Sequence, residues 1–452
     1  MLYTMIDYKI QTPPKILLLF LFFAMLVARD ASAQNNTRSP FSIFELGEIE
    51  TRDFGSTAGM GNVGIGFQSE NFLNRRNPAA LKKIDTLRFI IDVTAAVKFS
   101  EFITATNMQR TNNFNFKTLA VGVRLNKIWT GSVGLKPFSN VGYHIRDQIY
   151  VEGTINSYEN VSFSGSGGIN NFYWANSFEL FRGFSVGLTA AYLFGNITHN
   201  EDTEVISIIN TNNISKIHFD FGMQYSHTFK EHTNITVGGI YIPNTNLDIQ
   251  RTKIITSMTG IDRNQRLPDY RTHLPESYGA GFSITRNKKS AEWILAADYQ
   301  LSKWSVKRSN NKAPMHFGLK DGEYNFYEVN SGGVSRDKPL AYSDSEIYSV
   351  GLQYTPNTRN PEKMIQITRF HLGARYNRSY LKVYGHQLED YSISFGAGIP
   401  FTNQTRTLSY VNVAVTVGES GTGERGGITE RYILISANLS LLDRWWPRQQ
   451  IN

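Results

Sequence analysis

The sequence contains no cysteine, and after its first 33 residues it contains no long hydrophobic run. The 452 residues therefore form no disulfide, offer no zinc site of the thiolate type and carry no cysteine for a lipid anchor. No later stretch approaches about 18 consecutive apolar residues, which excludes a transmembrane helix there. The net charge is +8, but Lys and Arg are scattered, so we expect no nucleic-acid partner.

The first 33 residues have the order of a secretory signal peptide. A basic, polar stretch ends at Lys15, an apolar run covers residues 16–28, and Ala31, Ser32 and Ala33 precede Gln34 as a small-residue cleavage site. A single-pass anchor is the alternative, but the apolar run is shorter than the roughly 20 residues that span a bilayer. We therefore expect residues 1–33 to be removed on export.

The rest of the chain is rich in aromatic residues and glycine, with 23 Tyr, 29 Phe and 37 Gly. Apolar residues recur at every second position in residues 184–194, 391–401, 411–417 and 433–441, with mainly Ser, Gly, Thr, Ala and Asn between them. The longer of these segments have about eleven residues, the length with which a tilted strand crosses a membrane. A soluble β-sandwich, the alternative, usually has strands of five or six residues.

The connections between these segments also alternate in length, as in outer-membrane barrels with short periplasmic turns. We therefore predict an all-β fold, a transmembrane antiparallel β-barrel of about 14 strands, whose even number leaves no unpaired edge in lipid. The third strand is predicted at 129–148. The longer polar connections are predicted near 101–113, 151–167, 198–213, 249–274, 306–344, 380–387 and 418–428.

Gly59, Gly61 and Gly64 form a literal G-x-G-x-x-G, the spacing of a dinucleotide-binding turn. That turn needs a following helix within a βαβ unit, whereas Gly64 is followed by a glycine-rich, β-like run. We therefore expect no nucleotide and no other cofactor.

The same glycines belong to a longer pattern that resembles the amino-terminal segment of FadL-type outer-membrane transporters of long-chain fatty acids and other hydrophobic compounds. The pattern is residues 59–66 followed, after about ten residues, by residues 77–81. Further stretches are similar to the Bacteroidota branch of that family, namely 39–42, 134–143, 165–170 and 439–446.

The resemblance implies three regions: the signal peptide (1–33), a hatch folded inside the lumen (34–86) and the β-barrel with a short periplasmic C-terminal tail (87–452). The hatch residues that it implies are Gly59, Gly61, Gly64, Asn77, Pro78 and Ala79. The chain departs from the family at Asn74-Arg75-Arg76, where small or aromatic residues are more usual, which predicts a more basic lumen.

Pro137 falls inside the third predicted strand, where its missing N–H removes a ladder hydrogen bond. A local bulge without function is one interpretation. In FadL-type transporters, however, a kink in the third strand opens the wall sideways. The resemblance thus implies a lateral opening at Pro137, Phe138, Ser139 and Asn140, with the two polar side chains able to satisfy freed backbone groups.

No sequence motif indicates catalysis. The nine histidines form no compact ligand pair, so we expect neither a catalytic residue nor a metal site, and no enzyme activity. The resemblance implies an outer-membrane channel for passive uptake of small hydrophobic molecules such as fatty acids, with that ligand and outer-membrane lipid as partners. The alternative is a barrel of the same fold that acts as a structural or interaction subunit in protein secretion or outer-membrane assembly.

Overall fold

The structure is a computed structural model that describes residues 38–305 and 341–444, apart from short gaps, and four short strands between 319 and 335. The gaps are residues 45, 87, 106, 151–157, 230–231, 258–259, 261, 289, 360, 384–385, 403–406 and 423–426. The predicted signal peptide, the C-terminal residues 445–452 and most of the predicted 306–344 connection lie outside the described residues.

Fourteen antiparallel strands form a closed barrel, as the sequence predicts. The ring closes because the first strand pairs with the last, from Arg88 opposite Arg444 to Ile103 opposite Thr429. The strands are β1 (Arg88–Ile103), β2 (Met108–Arg124), β3 (Trp129–Tyr150), β4 (Tyr158–Phe181), β5 (Phe184–Asp202), β6 (Ile206–Phe229), β7 (Thr233–Ile242), β8 (Ser277–Lys288), β9 (Ala291–Ser302), β10 (Ser345–Thr355), β11 (Arg369–Val383), β12 (His386–Thr402), β13 (Leu408–Gly421) and β14 (Thr429–Arg444).

The period-two pattern places apolar side chains outside the barrel and small polar ones inside it. Ile393 and Phe395 are 53% and 57% exposed, whereas Ser394 between them is 2% exposed. A closed ring with an apolar outer face satisfies its backbone internally and presents hydrocarbon to lipid, the arrangement of a membrane-spanning barrel.

Several strands continue well beyond their predicted ends. The predicted connection 198–213 belongs largely to β5 and β6, and the predicted connection 249–274 is a hairpin of strands Thr245–Ser257 and Asp262–Leu274 that pairs with the first half of β6. The predicted connections near 101–113 and 380–387 also lie mostly within strands, and residues 418–421 of the predicted connection 418–428 belong to β13. These predictions were wrong because alternation of hydropathy marks only the lipid-facing part of a strand, while polar residues beyond it still pair.

Residues 38–84, which we call the amino-terminal segment, pack against inward-facing residues of several strands of the ring. The segment contains three 3-10 helices (Pro40–Ile43, Ala58–Met60 and Pro78–Lys83) and a two-residue strand (Glu48–Ile49), which we call the inner strand. Its apolar side chains form the core with inward-facing residues; Leu46 packs with Ile197 and Leu247, for example, and all three are at most 1% exposed.

The remaining elements are small. One α-helical turn (Met364–Ile367) precedes β11, and Ala341–Tyr342 pairs with the end of β11. Four short strands form two hairpins, Leu319–Lys320 with Glu323–Tyr324 and Glu328–Asn330 with Gly333–Ser335. No helix in the described part of the chain is long and apolar enough to cross a bilayer.

Candidate functional site

The glycine motif lies where the amino-terminal segment closely approaches the strands of the barrel wall. Gly61 has a φ of +66°, and a Cβ atom built on it would lie 2.6 Å from the carbonyl oxygen of Ala374. Gly59 is similarly close to the backbone of Gly396. Glycine is needed at these positions because a Cβ atom would collide with the backbone of the neighbouring strands, and at Gly61 side chains also rarely adopt this backbone.

The third glycine of the motif helps to form a backbone site for an anion that the chain itself fills. The amides of Gly64 and Ile65 donate to Oδ2 of Asp298 in β9, at 2.6 and 2.9 Å, and the amide of Gly66 lies 3.4 Å from Oδ1. Successive amides that converge in this way bind phosphate in nucleotide-binding proteins. In this chain they hold a side-chain carboxylate and thereby fix the segment to the wall.

Asn77, Pro78 and Ala79 fix the other end of the segment. The Asn77 side chain donates to the carbonyl oxygen of Ile65 at 2.8 Å, and its Oδ1 caps the following 3-10 helix by accepting from the amide of Ala79 at 3.0 Å. Pro78 is the first residue of that helix, where its missing N–H costs no hydrogen bond. The carbonyl oxygen of Ala79 accepts from Ser177 and Ser185 of the wall.

Residues 48–53 are joined to the wall by buried ion pairs. Glu50 pairs with Lys117 of β2 at 2.6 Å, and Arg52 pairs with Asp390 of β12 at 2.8 Å. Burial disfavours a charged Glu50, but Lys117 and Arg52 together outweigh burial and hold the pKa of Glu50 below its usual value. The inner strand is therefore held by opposite charges from two sides of the barrel.

A second group of ion pairs lies deeper, around Arg75. Its guanidinium contacts Asp53 at 2.5 Å and Asp92 of β1 at 3.3 Å, and its side chain is only 4% exposed. Burial likewise opposes ionisation of Asp53, yet Arg75 keeps the pKa of Asp53 below its usual value. Arg75, in the basic stretch that departs from the FadL pattern, is thus neutralised by carboxylates.

The wall is interrupted between β2 and β3. These strands pair only from Leu119 opposite Leu135 to Arg124 opposite Thr130, so β3 has no β2 partner from Lys136 onward. Pairing of β3 with β4 continues, with a register shift at Phe138. Gly168 of β4 accommodates the bend, because a Cβ atom there would collide with the carbonyl oxygen of Ser139.

The amino-terminal segment satisfies the free edge of β3 on the lumen side. Ile49 lies opposite Ser139 in an antiparallel pair, and the amide of Glu50 donates to the carbonyl oxygen of Phe138 at 2.9 Å. The Ser139 hydroxyl and the Asn140 side-chain oxygen have no hydrogen-bond partner among the described residues. The expectation that these two side chains satisfy the freed backbone was therefore wrong; the inner strand satisfies much of it.

The interruption adjoins a cavity of about 360 Å³ in the lumen. Its lining is mixed: Arg76 and Lys136 are basic, Glu50 and Asp390 are acidic, and Phe138 and Ile240 are apolar. Asn113, Asn115 and Lys117 of β2 line the same cavity, so it reaches both sides of the interruption. Within the described part of the chain, no group of three or more His, Asp or Glu side chains is arranged to hold a metal ion.

The model of the BamG family matches this sequence over residues 15–452. The chain belongs to the BamG family. No curated protein matches it.

Solved structures similar to this BamG-family chain include the toluene transporter TodX of Pseudomonas putida, with 14% identity, a TM-score of 0.55 and coverage of 88% of this chain and 100% of that one. A FadL homologue of Pseudomonas aeruginosa has 11% identity, a TM-score of 0.51 and coverage of 87% and 98%. The Ralstonia pickettii toluene transporter TbuX has 12% identity, a TM-score of 0.50 and coverage of 87% and 98%. At these identities the similarity shows a FadL-like fold; the Bacteroidota assignment stays a prediction.

Sequence reasoning missed most of the charged residues that hold the segment of this BamG-family barrel. Asp92, Lys98, Lys117, Asp298 and Arg375 all occupy positions that the alternation assigns to the lumen side. A charge at such a position within a predicted membrane strand is the signal that could have identified them, because an inward charge needs a partner inside the barrel.

Proposed function

We propose that this protein is an outer-membrane channel through which small hydrophobic molecules, such as fatty acids, diffuse passively into the cell envelope. The observation that carries the proposal is the interruption between β2 and β3, which adjoins a partly apolar cavity of about 360 Å³. A membrane barrel needs continuous backbone pairing between its strands, because unpaired backbone groups are costly in lipid. An interruption of this pairing beside a cavity therefore supports a functional role for it.

The proposed route runs from the cavity through the interruption into lipid. Pro137, Phe138 and Asn140 line the cavity at the bend of β3. A ligand that leaves sideways there does not displace residues 58–84, where Met60, Ile65 and Leu73 are fully buried. The hatch residues then act as a fixed plug, and lateral exit avoids the aqueous periplasm.

The proposed gate is the inner strand together with Glu50. It pairs with the β3 backbone at Ser139, and Glu50 reaches Lys117 on β2, so residues 48–50 bridge both edges of the interruption on its lumen side. Outward passage of a ligand requires this bridge to move.

Locking the gate tests the proposal directly. Ile49 and Ser139 are Cα partners in an antiparallel pair, a spacing that suits a disulfide, and the chain has no other cysteine. Ile49→Cys/Ser139→Cys should lose most uptake of a radiolabelled fatty acid when oxidised and regain it with reductant. The single variants are the controls, and undiminished uptake by the oxidised pair would refute the gate.

Pro137→Val provides a second test, aimed at the bend. Valine restores a backbone donor and favours pairing with β2, so uptake should slow while the barrel stays folded. Folding is checked by the heat-dependent mobility shift on gels. Uptake equal to that of the unmodified protein would favour the alternative of a bulge without function.

The buried ion pairs of the amino-terminal segment favour a second candidate, a structural or interaction subunit in protein secretion or outer-membrane assembly. The ion pairs of Arg52, Arg75 and Lys117 hold the segment from several sides, as expected of a barrel that need not open. Purification of the tagged protein from native outer membranes distinguishes the two. A stoichiometric partner together with uptake unaffected by either test above would establish the subunit role.

A further inference from the structure

The wall has a second gap in its pairing, between residues 215–220 of β6 and residues 242–248. The last pairs on its two sides are Phe221 opposite Tyr241 and Ile214 opposite Ile249. Pairing of β6 with β5 continues past the gap without a break. Pro243 lies in the gap and cannot donate to a ladder. Backbone groups on both edges of this β6–β7 gap are therefore left without a strand partner.

The Lys216 side chain passes through the gap. Lys216 belongs to the inward-facing positions of β6, like His218 two residues further on, which is 6% exposed. Its ammonium group nevertheless pairs with Asp248 at 3.1 Å, and Asp248 faces outward, since the adjacent Ile249 is buried. In a paired strand, an inward-facing side chain does not reach the outer face of the neighbouring strand. The two strands are thus far enough apart here for a lysine side chain.

The gap opens into the lumen cavity. His218 and Asp220 on one edge and Ile242 on the other all line this cavity. Nδ1 of His218 and Oδ1 of Asp220 lie 3.4 Å apart, and neither this oxygen nor either ring nitrogen has a hydrogen-bond partner among the described residues. Such atoms need water or a ligand, as expected where irregular backbone lines a hydrated cavity. The inner strand, which bridges the β2–β3 interruption, pairs with β3 and not with β6 or β7.

The outer edge of the gap lies at the membrane surface. Nearer the short turns, Phe219 and Tyr241 are exposed on the lipid-facing side of the wall. At the other end, Lys216 and Arg271 both pair with Asp248, and all three side chains are at least one-third exposed. Charged side chains avoid the hydrocarbon core, so this end lies at the level of the lipid headgroups.

We propose that the β6–β7 gap is a second lateral opening of the lumen, through which a small hydrophobic molecule at the membrane surface enters the cavity. This inference rests on the proposed channel function and supplies its entrance. The exit is the β2–β3 interruption, which begins at the lipid-facing Leu119 and Leu135. The Lys216–Asp248 pair is the latch of the entrance. Exposed ion pairs contribute little stability, so an entering molecule displaces the lysine side chain easily.

A lipid that carries a maleimide on its headgroup tests whether the gap reaches the membrane surface. Full-length His218→Cys is placed in nanodiscs that contain this lipid, and the adduct is measured by mass spectrometry; the natural chain has no cysteine. Ala191→Cys is the matched control, because Ala191 is the Cα partner of His218 and is 1% exposed, but β5 is paired on both sides. His218→Cys should form the adduct, whereas Ala191→Cys should not. Ile242→Cys, on the opposite edge, gives the same readout if His218→Cys does not fold.

Two further variants test the latch and the path. Lys216→Met should accelerate labelling of His218→Cys about two- to fivefold, the range of an exposed ion pair. Lys303→Met should leave labelling unchanged, because Lys303 is similarly exposed, at 40%, but pairs with Glu276 outside the gap. Pro137→Val acts on the β3 bend, so it should not alter the adduct either.

Equal adduct formation in His218→Cys and Ala191→Cys would overturn the opening. Loss of the adduct in Pro137→Val would also overturn it, since the lipid would then enter at the β2–β3 interruption. An unchanged rate in Lys216→Met would overturn the latch. None of these readouts measures uptake, so a failure of the channel itself appears separately, in the uptake experiments with the disulfide and with Pro137→Val.

Discussion

Replacement of Lys117 by methionine should open the gate, and its effect follows from the burial of the ion pair. The Glu50 and Lys117 side chains are 17% and 9% exposed, and the two charges are 2.6 Å apart. Methionine keeps the apolar length of lysine but leaves the Glu50 carboxylate buried without its partner. Such a loss typically costs 3 to 5 kcal/mol, and we take about 3 kcal/mol because Arg52 lies nearby.

This cost applies to the closed position of the inner strand, since Glu50 is rehydrated when the strand detaches. A change of about 3 kcal/mol raises the detached population about 100-fold. Ile49→Cys provides the assay because the natural chain has no cysteine that would react. The rate of labelling by a maleimide should rise by about that factor in Ile49→Cys/Lys117→Met, and Lys127→Met, in the exposed turn before β3, should leave it unchanged.

The labelling rate should change with pH in opposite directions in Ile49→Cys and in Ile49→Cys/Lys117→Met. With Lys117 present, the pKa of Glu50 lies below its usual value of 4.5, so the pair stabilises the closed gate above about pH 4.5 and is lost as the pH falls through the lowered pKa. All rates are divided by the rate for a free thiol at the same pH, because the thiolate is the reacting form and its fraction falls in acid. On this scale, labelling of Ile49→Cys should accelerate only in acid. Without Lys117, burial dominates and the pKa of Glu50 rises, so acidification neutralises the unpaired charge and slows labelling on the same scale.

A double variant completes the comparison. In the Ile49→Cys background, Glu50→Gln/Lys117→Met removes both charges. The cysteine at position 49 should then be labelled more slowly than in Lys117→Met alone, because no unpaired charge remains buried. Equal labelling rates in Ile49→Cys alone, with Lys117→Met added and with Glu50→Gln/Lys117→Met added would refute the gate. Faster labelling of Lys117→Met in acid than at neutral pH would refute its electrostatic explanation.

Three further predictions concern the wall and the plug. Val413→Arg on the outer face should cost about 2 to 4 kcal/mol in folding into lipid vesicles, and the cavity-lining Asn377→Arg should cost much less; equal costs would contradict the strand register. Asp298→Asn should weaken the glycine-amide site by about 1 to 2 kcal/mol, seen as faster trypsin cleavage within the amino-terminal segment. Gly61→Ala should accelerate that cleavage strongly, whereas Gly260→Ala should not, because Gly260 also has a positive φ but nothing lies within 4 Å of its Cβ position.

The barrel could be predicted from the sequence because alternation is a local signal. In 391–401 and 433–441 the alternation of apolar and polar residues indicates which side of the wall each residue faces. An even number of such segments closes the ring. The register shift beside Pro137 also has a local signal, since proline removes a backbone donor wherever it occurs. By contrast, the polar residues 245–257 carry no alternation, and only the partner strand shows that they pair.

The gate and the plug contacts could not be predicted because they join distant parts of the chain. Glu50 meets Lys117 of β2, 67 residues further along the chain, and Gly64 meets Asp298 of β9, 234 residues further along. The glycine spacing matches that of a phosphate-binding turn because successive backbone amides can bind any anion. The sequence does not identify the anion that they bind. That the anion is a carboxylate of β9 depends on strand register.

The contacts of Arg52 constrain the order in which the molecule is assembled. Arg52 reaches Asp390 of β12 and the Tyr432 hydroxyl of β14, and β14 is the strand that seals the ring against β1. These contacts form only when β12 and β14 are in place. We therefore expect residues 38–84 to take their final position late in folding, as the last strands arrive and the ring closes around them.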